Sequence, residues 1–163
     1  MAQVETANAL LIMALQDLLD GEAALLERLE GVSAACSDTV LKRIIAEDCQ
    51  RSTAQHDRLM QILRELDEAP DGSRNVWLRA ILDDADNDCD SIARGPLRDI
   101  ALTGALRKGK QSERVSYETA FALAERLELT AAANALRNHR DEEQAADQGL
   151  ARVLNRLVAA LER

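Results

Sequence analysis

Leu11-Ile12-Met13-Ala14-Leu15-Gln16-Asp17-Leu18-Leu19-Asp20-Gly21-Glu22-Ala23-Ala24-Leu25-Leu26-Glu27-Arg28-Leu29 is the stretch that decides the fold. Within it Leu11, Leu15, Leu18, Glu22, Leu25 and Leu29 follow one another at spacings of four, three, four, three and four. That rhythm places all six on one face of one helix. A carboxylate on a buried stripe is costly unless a partner or a bound ion compensates it. The stretch therefore predicts a helix packed along a core, with an acidic group inside that core.

The chain has 163 residues and reads as one domain, 1–163, long enough to bury a core without staples. Hydrophobic residues make up 47%, which excludes disorder, and aromatics only 2%, so the core must be Leu, Ile, Val and Ala. Seven Gly and two Pro leave few breaks, which points to long helices. A net charge of −9 repels phosphate backbones, so no nucleic-acid partner is expected. Nor is there a lysine-rich tail, because Lys42, Lys108 and Lys110 are all internal. Cys36, Cys49 and Cys89 show no CxxC spacing and read as reduced, buried thiols of a cytoplasmic protein. The run Ala9–Leu15 has no preceding Lys or Arg and meets Asp17 and Asp20 at once, so neither a signal peptide nor a membrane span is expected.

Turn signals divide the chain into helices. The first is expected from Val4 to Glu30, ended by Gly31 and Ser33; the second from Asp38 to Glu68, capped by Ser37. Residues Ala69-Pro70-Asp71-Gly72-Ser73 form the clearest turn, and Ser73 is expected to cap a shorter third helix, Arg74 to Ala93. Pro96 suits the first position of a fourth helix reaching Leu127, and Thr130 is expected to cap a fifth that runs to the C-terminus. Four long helices with a shorter one in the middle predict two antiparallel pairs joined by a crossover. The fold class is thus all-α, a ferritin-like four-helix bundle with a shorter fifth helix in the crossover.

Each long helix carries polar residues on its apolar face. The second shows Cys49, Ser52 and His56 among Ile45, Leu59, Leu63 and Leu66. The fourth shows Lys110, Glu113 and Tyr117 between Leu106 and Phe121, and the fifth shows His139 and Glu143 between Leu136 and Ala146. Carboxylates at one depth on three helices fit a di-metal carboxylate cage. They fit equally a set of side chains that reach solvent or pair with arginines. The Glu-x-x-His spacing of di-iron bundles, which lets i and i+3 share one ion, occurs nowhere in the chain. The acidic run from Asp83 to Asp90 fails as a calcium loop, because Cys89 and Gly95 stand where glycine and glutamate are required. The cluster Arg94, Arg98, Arg107, Lys108, Lys110 and Arg114 is expected to pair with acidic helices or an anionic partner.

From about Leu10 to Leu154 the chain resembles the bacterial YciE/YciF-type ferritin-like proteins. The resemblance is carried by the order and spacing of Arg58–Ile62, Leu97–Leu102, Leu123–Leu127 and Asp141–Asp147. It implies a bundle with an interior carboxylate metal site whose ligands fall on Glu22, on Glu113 beside Tyr117, and on the acidic run holding Glu142 and Glu143. It also implies departures. The family's Glu-x-x-His falls on Gln50 and Thr53, and one family glutamate falls on Lys110, whose cation opposes a metal and offers Glu22 or Glu113 a partner.

Three functions follow as alternatives. One is a stress-associated bundle whose metal site has decayed, acting as a structural or partner-binding protein without catalysis. The second is a working iron or manganese protein with a rearranged site using Glu22, Glu113, Glu143 and His139 or His56. The third is a regulatory or immunity-type bundle contacting its partner through the basic cluster. The apolar residues Leu10, Ile12, Leu19 and Leu26 of the first helix suggest a homodimer.

Overall fold

The computed structural model describes residues 3–162. Met1, Ala2 and Arg163, the ends of the expected domain, lie outside the described residues. Five helices follow in order, α1 (Ala7–Ala35), α2 (Thr39–Glu65), α3 (Val76–Ser91), α4 (Pro96–Arg126) and α5 (Thr130–Ala159). Among the described residues there is no strand, and no helix is long and apolar enough to cross a membrane.

The leucine stripe sets α1. Leu11, Leu15, Leu18, Leu25 and Leu29 are all buried, and the same rhythm continues through Val32 to Cys36. That continuation corrects the expected end at Gly31. Burial of Val32 outweighs the glycine, and the helix closes where the Cys36 amide donates to the carbonyls of Val32 and Ser33. Leu19 also turns inward and belongs to the core, so it is withdrawn from the face expected to support a homodimer.

Caps fall one to two residues from their expected places. Asp38, not Ser37, caps α2, its Oδ1 accepting from the Leu41 amide at 2.8 Å. Asn75, not Ser73, caps α3 through Leu78 N at 2.9 Å, and its own amide donates to Asp20 Oδ2. Thr130 is the first residue of α5 rather than its cap, and α5 ends at Ala159. α2 and α4 stop at acidic residues in left-handed conformation, Asp67 (φ 58°) and Glu128 (φ 59°). In each the next amide reaches back five residues, Glu68 to Leu63 O and Leu129 to Ala124 O, both at 3.0 Å. α2 therefore ends three residues before the expected Glu68. Pro96 opens α4 as expected.

α1 and α2 form one antiparallel hairpin and α4 and α5 the other, with α3 crossing between them. The late half of α1 packs with the early halves of α2 and α4 and the end of α5, in a cluster that includes Leu29, Leu41, Leu102 and Leu157. A second cluster at the opposite end joins Leu15, Leu63, Ala124 and Leu136. α3 joins the first cluster by seating Leu78 against two glycines. A Cβ on Gly21 would lie 3.2 Å from one Leu78 methyl, and a Cβ on Gly109 3.3 Å from the other. Arg79 locks α3 to Asp20 at 2.7 Å, and Arg28 of α1 pairs with Asp83 and Asp86, so part of the acidic run serves the crossover.

Asp99 of α4, itself buried, accepts from the backbone amides of Ser37 (2.8 Å) and Asp38 (3.0 Å). These are donors at the start of α2 that no helix carbonyl serves. Asp99→Ala is expected to cost about 2 kcal/mol, and Asp99→Asn less, because one amide oxygen still accepts. Urea unfolding measures both; a midpoint unchanged in Asp99→Ala would place the anchor of α2 elsewhere.

Candidate functional site

Between the two apolar clusters lies a layer of buried polar side chains at mid-height. Glu22 comes from α1, Asp48, Ser52 and Gln55 from α2, Lys110, Glu113 and Tyr117 from α4, and His139 and Glu143 from α5. Each replaces an apolar residue on its helix's inward stripe, so the fold itself forces them together.

Lys110 is the centre of the layer. It is 1% exposed, and its Nζ lies 2.8 Å from Glu113 Oε2, 2.8 Å from Glu143 Oε2 and 3.0 Å from Asp48 Oδ1. At these distances the three contacts are ion pairs. Arg51 holds Asp48 from the outside at 2.7 Å. Desolvation opposes the Lys110 charge, but the fields of Glu113, Glu143, Asp48 and Glu22 together outweigh it and hold the ammonium well above its ordinary range. Burial, then the neighbouring Glu143, raises the Glu113 carboxyl far above the usual carboxylate range, against the pull of Lys110. One ammonium is thus shared by three acids.

Glu22 is fully buried and takes a different partner from the one expected. Tyr117 Oη donates to its Oε1 at 2.6 Å, while Lys110 acts on it through its field alone. Burial pushes the Glu22 carboxyl up to about 7. Desolvation, and then the Glu22 charge, raise the Tyr117 phenol well above its ordinary value. The Tyr117 ring also packs against His139, centroids 5.4 Å apart.

Of the four expected ligands, Glu22, Glu113 and Glu143 sit in this layer. Glu142 does not. Its side chain is 47% exposed at the rim, where His139 Nδ1 lies 3.1 Å away and Gln55 Nε2 donates at 2.9 Å. Gln55 also donates to Glu143 Oε1 at 3.0 Å. Gln50 and Thr53 are exposed, which corrects the placement of the i, i+3 pair. The pair of that spacing that faces the layer is Ser52 and Gln55. His56 stands outside, 3.7 Å from Asp57. Asp48 and Gln55 escaped the sequence reading, which took the face of α2 one residue too far round. The stripe Leu41, Ile45, Asp48, Ser52, Gln55, Leu59 and Ile62 carries the signal that finds them. The basic cluster is dispersed, with Arg107 on Asp147, Lys108 near Asp84, Arg114 on Glu118, Lys110 in the core, and Arg94 and Arg98 on backbone carbonyls.

The donor set does not fit a di-metal centre. Among the described residues no three His, Cys, Asp or Glu side chains converge in a way that could hold an ion, and the helix expected to supply Glu-x-x-His offers a hydroxyl, an amide and one carboxylate, Asp48, already held by Lys110 and Arg51. Where carboxylate oxygens do converge, they converge on an ammonium.

Comparison with known proteins places this architecture. Protein YciF of Escherichia coli K12 is 26% identical over 145 residues, covering 88% of this chain and 87% of the relative. The crystal structure of the E. coli stress protein YciF superposes with a TM-score of 0.92 at 25% identity, over 97% of this chain and all of the other. YcfI of Rhodopseudomonas palustris shares the fold, with a TM-score of 0.86 at 23% identity over 91% and 94% of the two chains. The family model described as a domain of unknown function, DUF892, matches residues 6–161, and the chain belongs to that family.

Proposed function

We propose that this chain is a stress-associated, non-catalytic bundle, structural or partner-binding in role, in which the Lys110 ammonium does the charge balancing that metal ions do in carboxylate bundles. The association with stress rests on similarity to the E. coli stress protein YciF. The observation that carries the charge-balancing reading is the placement of Lys110 Nζ within 3.0 Å of Asp48, Glu113 and Glu143. A lysine there repels a divalent ion and supplies the positive charge the acids require.

Metal loading tests it. Protein purified without chelator, exposed to iron or manganese and dialysed, is expected to retain far less than one ion per chain. Lys110→Glu supplies a further carboxylate and is expected to take up metal and to melt higher as metal is added. A full equivalent of metal in the native protein sinks the proposal and favours the rearranged iron or manganese site. So does a folded Lys110→Glu variant that takes up none. Should Lys110→Glu not fold, Lys110→Gln serves the same comparison.

A further inference from the structure

We propose that Tyr117 is a site of reversible one-electron oxidation, its phenol passing the proton to Glu22 as the electron leaves to an oxidising radical. The proposal stands on this pair of side chains and is independent of whether Lys110 replaces a metal.

Oxidation of a phenol needs an acceptor for the proton, because the oxidised ring holds it far more weakly than the neutral one. Tyr117 has that acceptor in place. Its Oη, in a fully buried side chain, donates to Glu22 Oε1 at 2.6 Å, the short distance of an O–H bond to a carboxylate. The second Glu22 oxygen, Oε2, is buried without a hydrogen-bond partner among the described residues, which leaves a lone pair free to hold an added proton. Burial holds the phenol well above its ordinary ionisation range, so this proton does not leave without oxidation.

An interior point of a helical bundle lies within ~10–12 Å of solvent, one helix diameter. Electrons tunnel over that distance and protons do not. The electron can therefore reach an oxidant outside the fold, while the proton goes to Glu22. The step balances as one O–H bond broken on Tyr117, one formed on Glu22, and one electron taken up by the oxidising radical. A soluble one-electron reductant reverses it, and the proton returns along the same hydrogen bond.

The surroundings suit a radical that lasts. Tyr117 is the chain's one tyrosine and belongs to the cluster of Leu15, Leu59 and Ala120, aliphatic side chains that give up no electron. Cys36, Cys49 and Cys89, which would reduce the radical, belong to or pack against the cluster at the opposite end. Full burial of the ring keeps two such radicals from coupling between chains.

Flash oxidation with photo-oxidised ruthenium tris-bipyridine, read by freeze-trapped electron paramagnetic resonance, tests the site. Every chain carries Trp77→Phe, since that indole is 76% exposed and would react first. At pH 8, above the value of about 7 at which the Glu22 carboxyl is held, one phenoxyl signal is expected. It should outlast the signal of free N-acetyltyrosinamide, form more slowly in heavy water and vanish in Tyr117→Phe. Glu22→Gln keeps an acceptor for the hydroxyl but cannot take its proton, so phenoxyl should form at least about tenfold more slowly. A merely structural hydrogen bond would leave that rate unchanged. No phenoxyl signal, a lifetime no longer than that of the free phenol, or an unchanged rate in Glu22→Gln would overturn the proposal. If Glu22→Gln does not fold, an unchanged rate in heavy water does so instead. If Tyr117→Phe does not fold, the single tyrosine already fixes the assignment.

Discussion

Lys110→Met is expected to destabilise the bundle by about 3–5 kcal/mol at pH 8, the range found when one partner of a buried ion pair is removed. Methionine matches the lysine stem in length and packs flexibly, so little of the loss comes from volume. The loss comes from Asp48, Glu113 and Glu143, which remain inside the layer without the ammonium that now lies within 3.0 Å of each. Against a typical total of about 5–15 kcal/mol, this is enough to leave a substantial unfolded fraction. Two features separate the charge explanation from a packing defect. The loss should shrink at pH 5, where the orphaned acids accept protons more readily. Combining Lys110→Met with Glu113→Gln and Glu143→Gln should recover most of it, since amides need no counter-charge. Urea unfolding at the two pH values measures each outcome. A cost at pH 8 below about 1 kcal/mol would show that the acids are stabilised by something other than Lys110.

The same residue shows what the sequence could and could not convey. The period of α4 alone put Lys110 on an apolar stripe, and its pairing with Glu22 or Glu113 was what the resemblance implied. Its partners were less legible. The stripe of α1 is leucine on both sides of Glu22, so its phase is unmistakable. The inward face of α2 holds three polar residues in succession, Asp48, Ser52 and Gln55, and the apolar signal that sets the phase vanishes over two turns. A rotation of one residue then exchanges Asp48 for Cys49 and Gln55 for His56.

Helix ends failed for a related reason. Gly31 and Ser73 carry turn chemistry, yet the ends follow burial of Val32 in one case and the Asn75 bond to Asp20 in the other. The left-handed stops at Asp67 and Glu128 use acids where glycine is usual, so nothing in composition marks them. The bundle and its crossover were readable because they depend on many residues at once, whereas the site depends on the rotation of single helices.

Glu22→Gln is expected to remove a pH dependence that the native protein carries between pH 5 and 8. The Glu22 carboxyl has an ordinary value of 4.5 and is held at about 7 in the fold. A group whose folded value is raised binds its proton more tightly when folded, so its favourable contribution is complete below 4.5 and is lost as pH rises through 7. The difference corresponds to about 3 kcal/mol of lost stability on moving from pH 4.5 to above 7. Glu22 is buried in full, so solvent does not reduce that figure through screening. Acids held low by arginines, Asp20 through Arg79, Asp38 through Arg156 and Asp147 through Arg107, act in the opposite sense. Their contribution is lost only as pH falls below the ordinary aspartate value of 3.8. Stability should therefore be greatest near pH 5 and decline toward pH 8. Glutamine keeps an acceptor for the Tyr117 hydroxyl, which now lies 2.6 Å from Glu22 Oε1, and carries no charge to desolvate. The variant should thus match the native protein near pH 5 and exceed it at pH 8. The residual slope belongs to Glu113, which burial also raises. Unfolding free energies at pH 5, 6, 7 and 8 for both proteins measure this, and parallel curves would assign the proton to a group other than Glu22.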